Sequence, residues 1–347
     1  MILPSLAKTG PGFVVKDLCT EFVRMGHNCK VFYFDKGEGL EMPCPTEQIK
    51  FRIPFDFENW DVIHSHMFRP DAYIWYHRKK IGRIKTVSTL HNPITYKLCR
   101  TNFSILGSII LSTLWPVFLR AHNNVCCLND DTFSSLTSSL RKKTAVIFNG
   151  RNIELVDRIP DVNERELLEK LHARYTILGS IASLTRRKGL NQLIQSLTFL
   201  PNCVVVLLGE GPERENLLML AKKLNVVDRC FFFGFKDNAA DYLTAMDIFV
   251  MCSKSEGFPL ALIEAAAYGR PCVLSNIPIF KSIISGNKGA LFYSLGNISD
   301  LADKICKANE MKTVNSVKIR NYYKEELTAA VMCNKYLNIY NDKISIK

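Results

Sequence analysis

The chain has 347 residues, 47% hydrophobic and 22% charged, with a formal net charge of +12. That length suits two domains, and the balance of apolar and charged residues excludes disorder as the default state. The basic surplus points to anionic partners. The chain carries no recognition-helix, zinc-finger or RNA-binding aromatic signature, so anionic substrates or an anionic membrane surface are expected rather than nucleic acid.

In chain order, Met1-Ile2-Leu3 reads as the end of a buried strand, shorter than the usual length of about 5–6 residues. Either the first strand is stunted or the natural start lies upstream; no signal peptide is visible. From Val14 to Met25, apolar Val14, Leu18, Phe22 and Val23 recur with helical spacing. Gly26-His27 ends that helix. Strands are expected at Lys30 to Phe34, Asp61 to His64, Lys85 to Leu90, Asn124 to Leu128 and Thr144 to Phe148, with a turn at Asn149-Gly150.

A polar stretch from Arg151 to Arg174 follows, with a short helix around Glu164 to Leu171. The rhythm then restarts. Thr176 to Ala182, Val204 to Leu208, Cys230 to Phe233, Ile248 to Met251 and Cys272 to Ser275 read as strands, with helices at Leu190 to Leu197 and Arg214 to Leu224. Strands alternating with helices imply parallel sheets covered on both faces. The expectation is two α/β domains, residues 1–160 and 161–320, with a final helix over about 321–340 that no strand follows.

Phe103 to Leu119 holds no charged residue, and Lys97, Arg100 and Arg120 lie at its ends. It is shorter than the roughly 20 residues a bilayer span needs and contains Gly107 and Pro116. It is either a buried core helix or a segment that dips into a membrane interface. Twelve cysteines, none in a C-x-x-C pair, give a zinc or thioredoxin-like site little support. They are expected to be buried free thiols of a reducing compartment.

The most informative stretch runs from Glu256 to Ala265, EGFPLALIEA. The strand at Ile248 to Met251 leads through a polar loop to Gly257, and Pro259 suits the first turn of a helix. Glu256 then lies in the loop and Glu264 within the helix, at the carboxyl edge of the sheet where ligands bind. Free N–H groups at Phe258, Pro259's turn and Leu260 form an anion site suited to a diphosphate. The two carboxylates can accept hydrogen bonds from sugar and ribose hydroxyls. As an ordinary surface helix the pair would mean nothing, but Glu264 is embedded among apolar neighbours and needs a partner.

With these residues the chain resembles the retaining glycosyltransferase family 4, whose signature is two glutamates separated by seven residues around Gly-Phe-Pro. The likeness extends along nearly the whole chain: Gly10-Pro11-Gly12, Arg24-Met25-Gly26-His27, Asp61-Val62-Ile63-His64-Ser65-His66, Thr89-Leu90-His91-Asn92, Asn149-Gly150, Lys188-Gly189, Leu208-Gly209-Glu210-Gly211-Pro212 and Phe233-Gly234-Phe235. The resemblance implies the GT-B architecture, two Rossmann-like parallel-sheet domains facing each other across a cleft, with the last helix returning to the first domain.

It also implies roles. Glu264 would hold the ribose, and Glu256 the donor sugar, with N–H groups of Gly257, Phe258 and Leu260 beside Pro259. Lys188 would neutralise the diphosphate. Gly10 and Gly12 would let the first loop approach the phosphate, His91 would face the reacting sugar, and the turn of Gly234, Phe235 and Lys236 would line the nucleobase. The chain departs from the family at Ser183, where an arginine is usual; Arg186 or Arg187 are the candidates to replace it. Asn92 stands where an aspartate is usual.

The implied reaction moves a sugar from a UDP- or GDP-sugar to a hydroxyl of a lipid-linked or oligosaccharide acceptor, as in O-antigen synthesis at the inner face of the cytoplasmic membrane. Charge developing on the departing phosphate is stabilised by Lys188 and the helix end, with no obligatory metal or other cofactor. Three rivals are weaker. A glycoside hydrolase needs carboxylates about 5–9.5 Å apart. A nicotinamide oxidoreductase would show G-x-G-x-x-G in the first turn. An inactive GT-B-fold binding subunit is kept open by Ser183.

Overall fold

The structure is a computed structural model that describes residues 1–37, 39–91, 94, 104–284 and 286–342. It divides into two compact units, Met1–Asn152 with Glu326–Lys347, and Ile153–Glu325.

Among the described residues the first unit is built on seven parallel strands: β1 Ile2–Ser5, β2 Val31–Asp35, β3 Thr46–Gln48, β4 Val62–His66, β5 Lys85–Leu90, β6 Asn124–Cys127 and β7 Thr144–Val146. Their order is β3-β2-β1-β4-β5-β6-β7. β1 is short yet central, pairing with β2 and β4 and burying Ile2 and Leu3. Thr9 caps the helix Gly10–Arg24 by accepting from the Gly12 N–H at 3.4 Å. β3 was not expected: all three of its residues are exposed and polar, so it has no apolar pattern to announce it.

The second unit repeats the plan with β8 Thr176–Ile181, β9 Cys203–Leu208, β10 Cys230–Gly234, β11 Ile248–Met251, β12 Cys272–Ser275 and β13 Ala290–Tyr293, all parallel, in the order β10-β9-β8-β11-β12-β13. β9 and β11 are buried along their whole length, as central strands covered on both faces must be. Both sheets are Rossmann-like. In each, strand order reverses once, at β1/β4 in the first unit and at β8/β11 in the second. Ligands of such sheets bind at the carboxyl ends of the strands flanking that reversal.

Unit boundaries follow local bonding. Residues 153–161 belong with the second unit because the Ile153 N–H meets the Tyr323 hydroxyl at 3.4 Å, the Val156 N–H meets that of Tyr268 at 3.2 Å, and Ile159 is buried. The expected single terminal helix is in fact two: Lys312–Tyr322 and Ala329–Tyr340, separated by a π-turn at Tyr323–Leu327 and restarted by Thr328 as N-cap. The break lets the last helix join the first unit, where Gly150 lies so close to Thr328 that a Cβ would sit 2.1 Å from its carbonyl oxygen.

The uncharged segment forms the helix Ile105–Leu119; Phe103, Lys97 and Arg100 lie outside the described residues. Trp115 and Leu119 are buried, while Ile105, Leu106, Ile109, Ile110 and Leu114 are exposed on the opposite side. It is therefore neither a fully buried core helix nor long enough to cross a bilayer; no helix among the described residues is. The described cysteines are free thiols, mostly buried, with Cys306 exposed and Cys99 outside the described residues.

Candidate active site

The carboxyl ends of β8 and β11 bring a basic and an acidic loop together. After β8 the chain turns through a 3₁₀ helix, Arg186–Lys188, and ends it on Gly189 with φ +62°. Only glycine fits there, because a Cβ would lie 2.2 Å from the Cys252 carbonyl oxygen at the end of β11. The two loops thus meet backbone to backbone, with the Lys254 N–H donating to the Arg187 carbonyl at 2.8 Å.

This contact places Lys188 Nζ 2.7 Å from Glu256 Oε1 and Arg187 Nη1 3.0 Å from Glu256 Oε2. Ser253 Oγ donates to Glu256 Oε1 at 2.5 Å, and the Ser255 carbonyl accepts from Arg187 at 2.7 Å. The Glu256 side chain is only 5% exposed, so its charge depends on these partners. Ser253 was not anticipated from the sequence; its signal is the Ser-x-x-Glu spacing in a polar loop. It is held in turn by Ser275, whose hydroxyl donates to the Ser253 carbonyl at 2.6 Å.

The helix carrying Glu264 runs from Leu260 to Ala267, with Pro259 as its N-cap rather than inside its first turn. Pro259 has no side-chain acceptor; the Leu262 N–H donates to the Pro259 carbonyl at 3.1 Å, which leaves the N–H groups of Leu260 and Ala261 at the helix start without a side-chain cap. Leu262, Ile263, Ala265, Ala266 and Ala267 are buried against the unit, while Leu260, Ala261 and Glu264 share the half-buried face. Glu264 therefore lies one turn behind the helix start on the same face. Gly257 and Phe258 are half-buried in the approach to that turn.

Neighbouring loops complete the edge. Gly209 adopts φ +132° with its Cβ direction filled by the Ala182 carbonyl, and its N–H donates to the Gly234 carbonyl at 2.7 Å. Phe235 follows, largely exposed, and Lys236 turns away to Glu164 at 2.8 Å. Ser183 is exposed. Of the two arginines considered to replace the usual one there, Arg186 is 85% exposed and pairs with Glu213 at 3.1 Å, whereas Arg187 is 43% exposed and joins Glu256.

In the first unit, Gly10 and Gly12 begin the helix that follows β1. A Cβ on Gly12 would meet the Ala7 carbonyl oxygen at 2.6 Å, so that glycine serves the close packing of its own loop. His91 follows β5 and is 6% exposed; burial pushes its pKa down to about 4. Its Nε2 lies 3.0 Å from His66 Nδ1. Asn92 lies outside the described residues. Below this pair, on the other face of β4, Asp71 accepts from Ser65 at 2.6 Å, Trp115 at 2.7 Å and Ser88 at 2.9 Å.

Two successive Rossmann-like parallel sheets, of seven and six strands among the described residues, are the sheets of the GT-B fold. Residues 9–155 match the family described as Glycosyltransferase Family 4, and residues 164–326 match Glycosyl transferases group 1. The chain belongs to this family of glycosyltransferases. It is 28% identical over 364 residues to the O-antigen biosynthesis glycosyltransferase WclY of Escherichia coli, covering 98% of this chain and 97% of that one. It is 22% identical over 303 residues to the E. coli UDP-Gal:alpha-D-GlcNAc-diphosphoundecaprenol alpha-1,3-galactosyltransferase, covering 83% and 76%. In fold it is similar to Anabaena HepE, solved in complex with UDP and glucose, with a TM-score of 0.75, 16% identity and 98% of each chain covered.

Proposed function

We propose that the protein transfers a sugar, with retention of anomeric configuration, from a nucleoside-diphosphate sugar to a hydroxyl of a lipid-linked glycan, in the assembly of an O-antigen-type polysaccharide. The observation that carries this reading is the meeting of Lys188, Arg187 and Glu256 beside the Leu260–Ala267 helix start. The cations and the first-turn N–H groups suit a diphosphate, Glu256 suits the hydroxyls of the sugar next to it, and Glu264 suits the ribose. Within this reading Gly234 and Phe235 take the nucleobase, and the roles that the resemblance implies for Gly10 and Gly12 toward the phosphate and for His91 toward the reacting sugar are kept.

Bond cleavage leaves charge on the β-phosphate, which Lys188 and Arg187 stabilise without an obligatory metal. The acceptor hydroxyl attacks the anomeric carbon from the leaving-group face and passes its proton to the departing phosphate. The names of two relatives, one in O-antigen biosynthesis and one acting on a diphosphoundecaprenol-linked sugar, support the lipid-linked acceptor.

That acceptor requires a membrane surface. The exposed Ile105, Leu106, Ile109, Ile110 and Leu114 form an uncharged apolar face suited to lying in the interface. Arg78, Lys79 and Lys80 end the neighbouring helix Phe68–Ile81, where Arg78 stacks on Trp75 and Trp75 packs on Phe118. They supply cations for anionic headgroups at a cytoplasmic face.

The test is to incubate the purified protein with UDP- and GDP-sugars and a polyprenyl-diphosphate-linked acceptor. Release of nucleoside diphosphate, with an α-linked product from an α-linked donor by NMR, is expected. An inverted product, or no release with any donor, overturns the proposal.

A further inference from the structure

We propose that His66 is a positioning residue that fixes His91 as the neutral tautomer with its proton on Nδ1, so that His91 meets the reacting sugar as a hydrogen-bond donor and not as a base. The inference rests on the reading of His91 given above and deepens it.

The argument begins with β4. Alternation along the strand puts His64 and His66 on one face and Ser65 on the other. The two imidazoles stack with ring centroids 4.2 Å apart. His64 is pinned at both nitrogens, Nδ1 to the Tyr340 hydroxyl at 2.7 Å and Nε2 to Thr89 Oγ1 at 2.7 Å, and Thr89 bonds Tyr336 at 2.8 Å. The last helix of the chain thereby holds His64, His64 holds the ring of His66, and His66 reaches His91.

Both members of the His66–His91 pair are buried, and burial lowers the pKa of each, so each ring is neutral with one N–H. Only one of the two nitrogens facing each other across 3.0 Å can carry a proton. If it is His91 Nε2, the proton of His66 must sit on Nε2. That atom is buried and has no hydrogen-bond partner among the described residues. An orphaned buried N–H is the rarer and costlier arrangement. If instead His66 Nδ1 carries the proton and donates, only a lone pair is orphaned at His66 Nε2. His91 Nε2 is then the acceptor, and its own proton is on Nδ1.

Met67, directly after His66, is held at φ +77° although it is not glycine. Backbone strain of this kind collects where the surrounding structure fixes a functional side chain. It stands at the carboxyl end of β4, beside the strand-order reversal of the first unit.

The experiment is a long-range ¹H–¹⁵N correlation spectrum of the full-length protein with ring-labelled histidine; seven histidines make assignment by single substitution practical. The expected spectrum has His91 protonated at Nδ1 and bare at Nε2. In His66→Phe, which keeps a ring but no donor, the His91 proton redistributes to Nε2. The turnover number then falls roughly five- to tenfold, the worth of one ordinary hydrogen bond, at unchanged KM for the donor. His66→Asn places an amide N–H where Nδ1 was and restores both the tautomer and most of the rate.

A wild-type spectrum with the His91 proton on Nε2, or an unchanged tautomer in His66→Phe, overturns the proposal. Because the spectrum needs no substrate, it decides this point even if the transfer reaction itself were refuted.

Discussion

Replacing Lys188 by methionine keeps the side-chain length and removes the charge that faces Glu256. At 2.7 Å the pair attracts by about 6 kcal/mol in an effective dielectric of about 20. Most of this is offset by desolvation, since the Lys188 side chain is 13% and the Glu256 side chain 5% exposed. Glu256 also keeps Arg187 and Ser253, so the net loss of stability is about 1–3 kcal/mol, a fall in Tm of roughly 3–10 °C for a unit of this size. The catalytic loss is larger. Removing one preformed stabiliser of developing charge costs about 10²–10³ in kcat. Calorimetric melting and steady-state release of nucleoside diphosphate measure the two effects separately, and Lys188→Arg should fall between variant and wild type. If folded Lys188→Met turns over within twofold of wild type, the assignment of leaving-group stabilisation to this residue is wrong.

The arginines beside it should behave unequally. Arg186→Ala, at a position 85% exposed, should change stability by less than about 0.5 kcal/mol and leave turnover within twofold, whereas Arg187→Ala should lower kcat/KM for the donor at least tenfold. Equal effects in the same assay would remove the distinction. At the apolar helix, Ile109→Asp with Ile110→Asp should weaken sedimentation with anionic vesicles about tenfold or more while the melting temperature holds; unchanged sedimentation would move the membrane contact elsewhere. Burial raises Asp71 to about 7, against the hydrogen bonds of Ser65, Trp115 and Ser88 that pull it down. Its folded pKa is above its unfolded one, so its stabilising contribution is complete below about pH 4 and is lost as pH rises to about 7. That amounts to about 4 kcal/mol at roughly 1.4 kcal/mol per unit. Asp71→Asn should flatten the decline in denaturant midpoint over that interval, and a parallel decline in the variant would count against it.

The parts of the fold visible in the sequence were those with a pattern of burial. β9 and β11 are continuous apolar runs because both faces are covered, and Gly10–Arg24 shows the stripe of a helix buried on one side. β3 has no such pattern, because an exposed edge strand leaves polar residues free to alternate with nothing. β13 is four residues between glycine-rich and polar turns, too short for periodicity to mark it. The break at Tyr323–Leu327 carries no proline or glycine; it is imposed by packing, which a local pattern does not encode.

At the site, the Glu256 and Glu264 spacing was legible because both lie on one loop and helix. The attachment of Glu256 to Lys188 was not: it depends on Gly189 pressing against Cys252 across two strands distant in sequence. For the same reason Arg186 and Arg187, adjacent and chemically alike, could not be told apart until the 3₁₀ turn set one toward Glu213 and the other toward Glu256. His66 was visible as part of a motif, but its tie to His91 joins the ends of neighbouring strands.

Calorimetric titration of UDP and GDP into the wild-type protein and into Glu264→Ala bears most directly on the site assigned to the second unit. One of the two nucleotides should bind the wild type, and the variant should lose at least a hundredfold in affinity while melting as the wild type does. Binding of equal strength to both proteins, or no binding of either nucleotide to the wild type, would contradict the account.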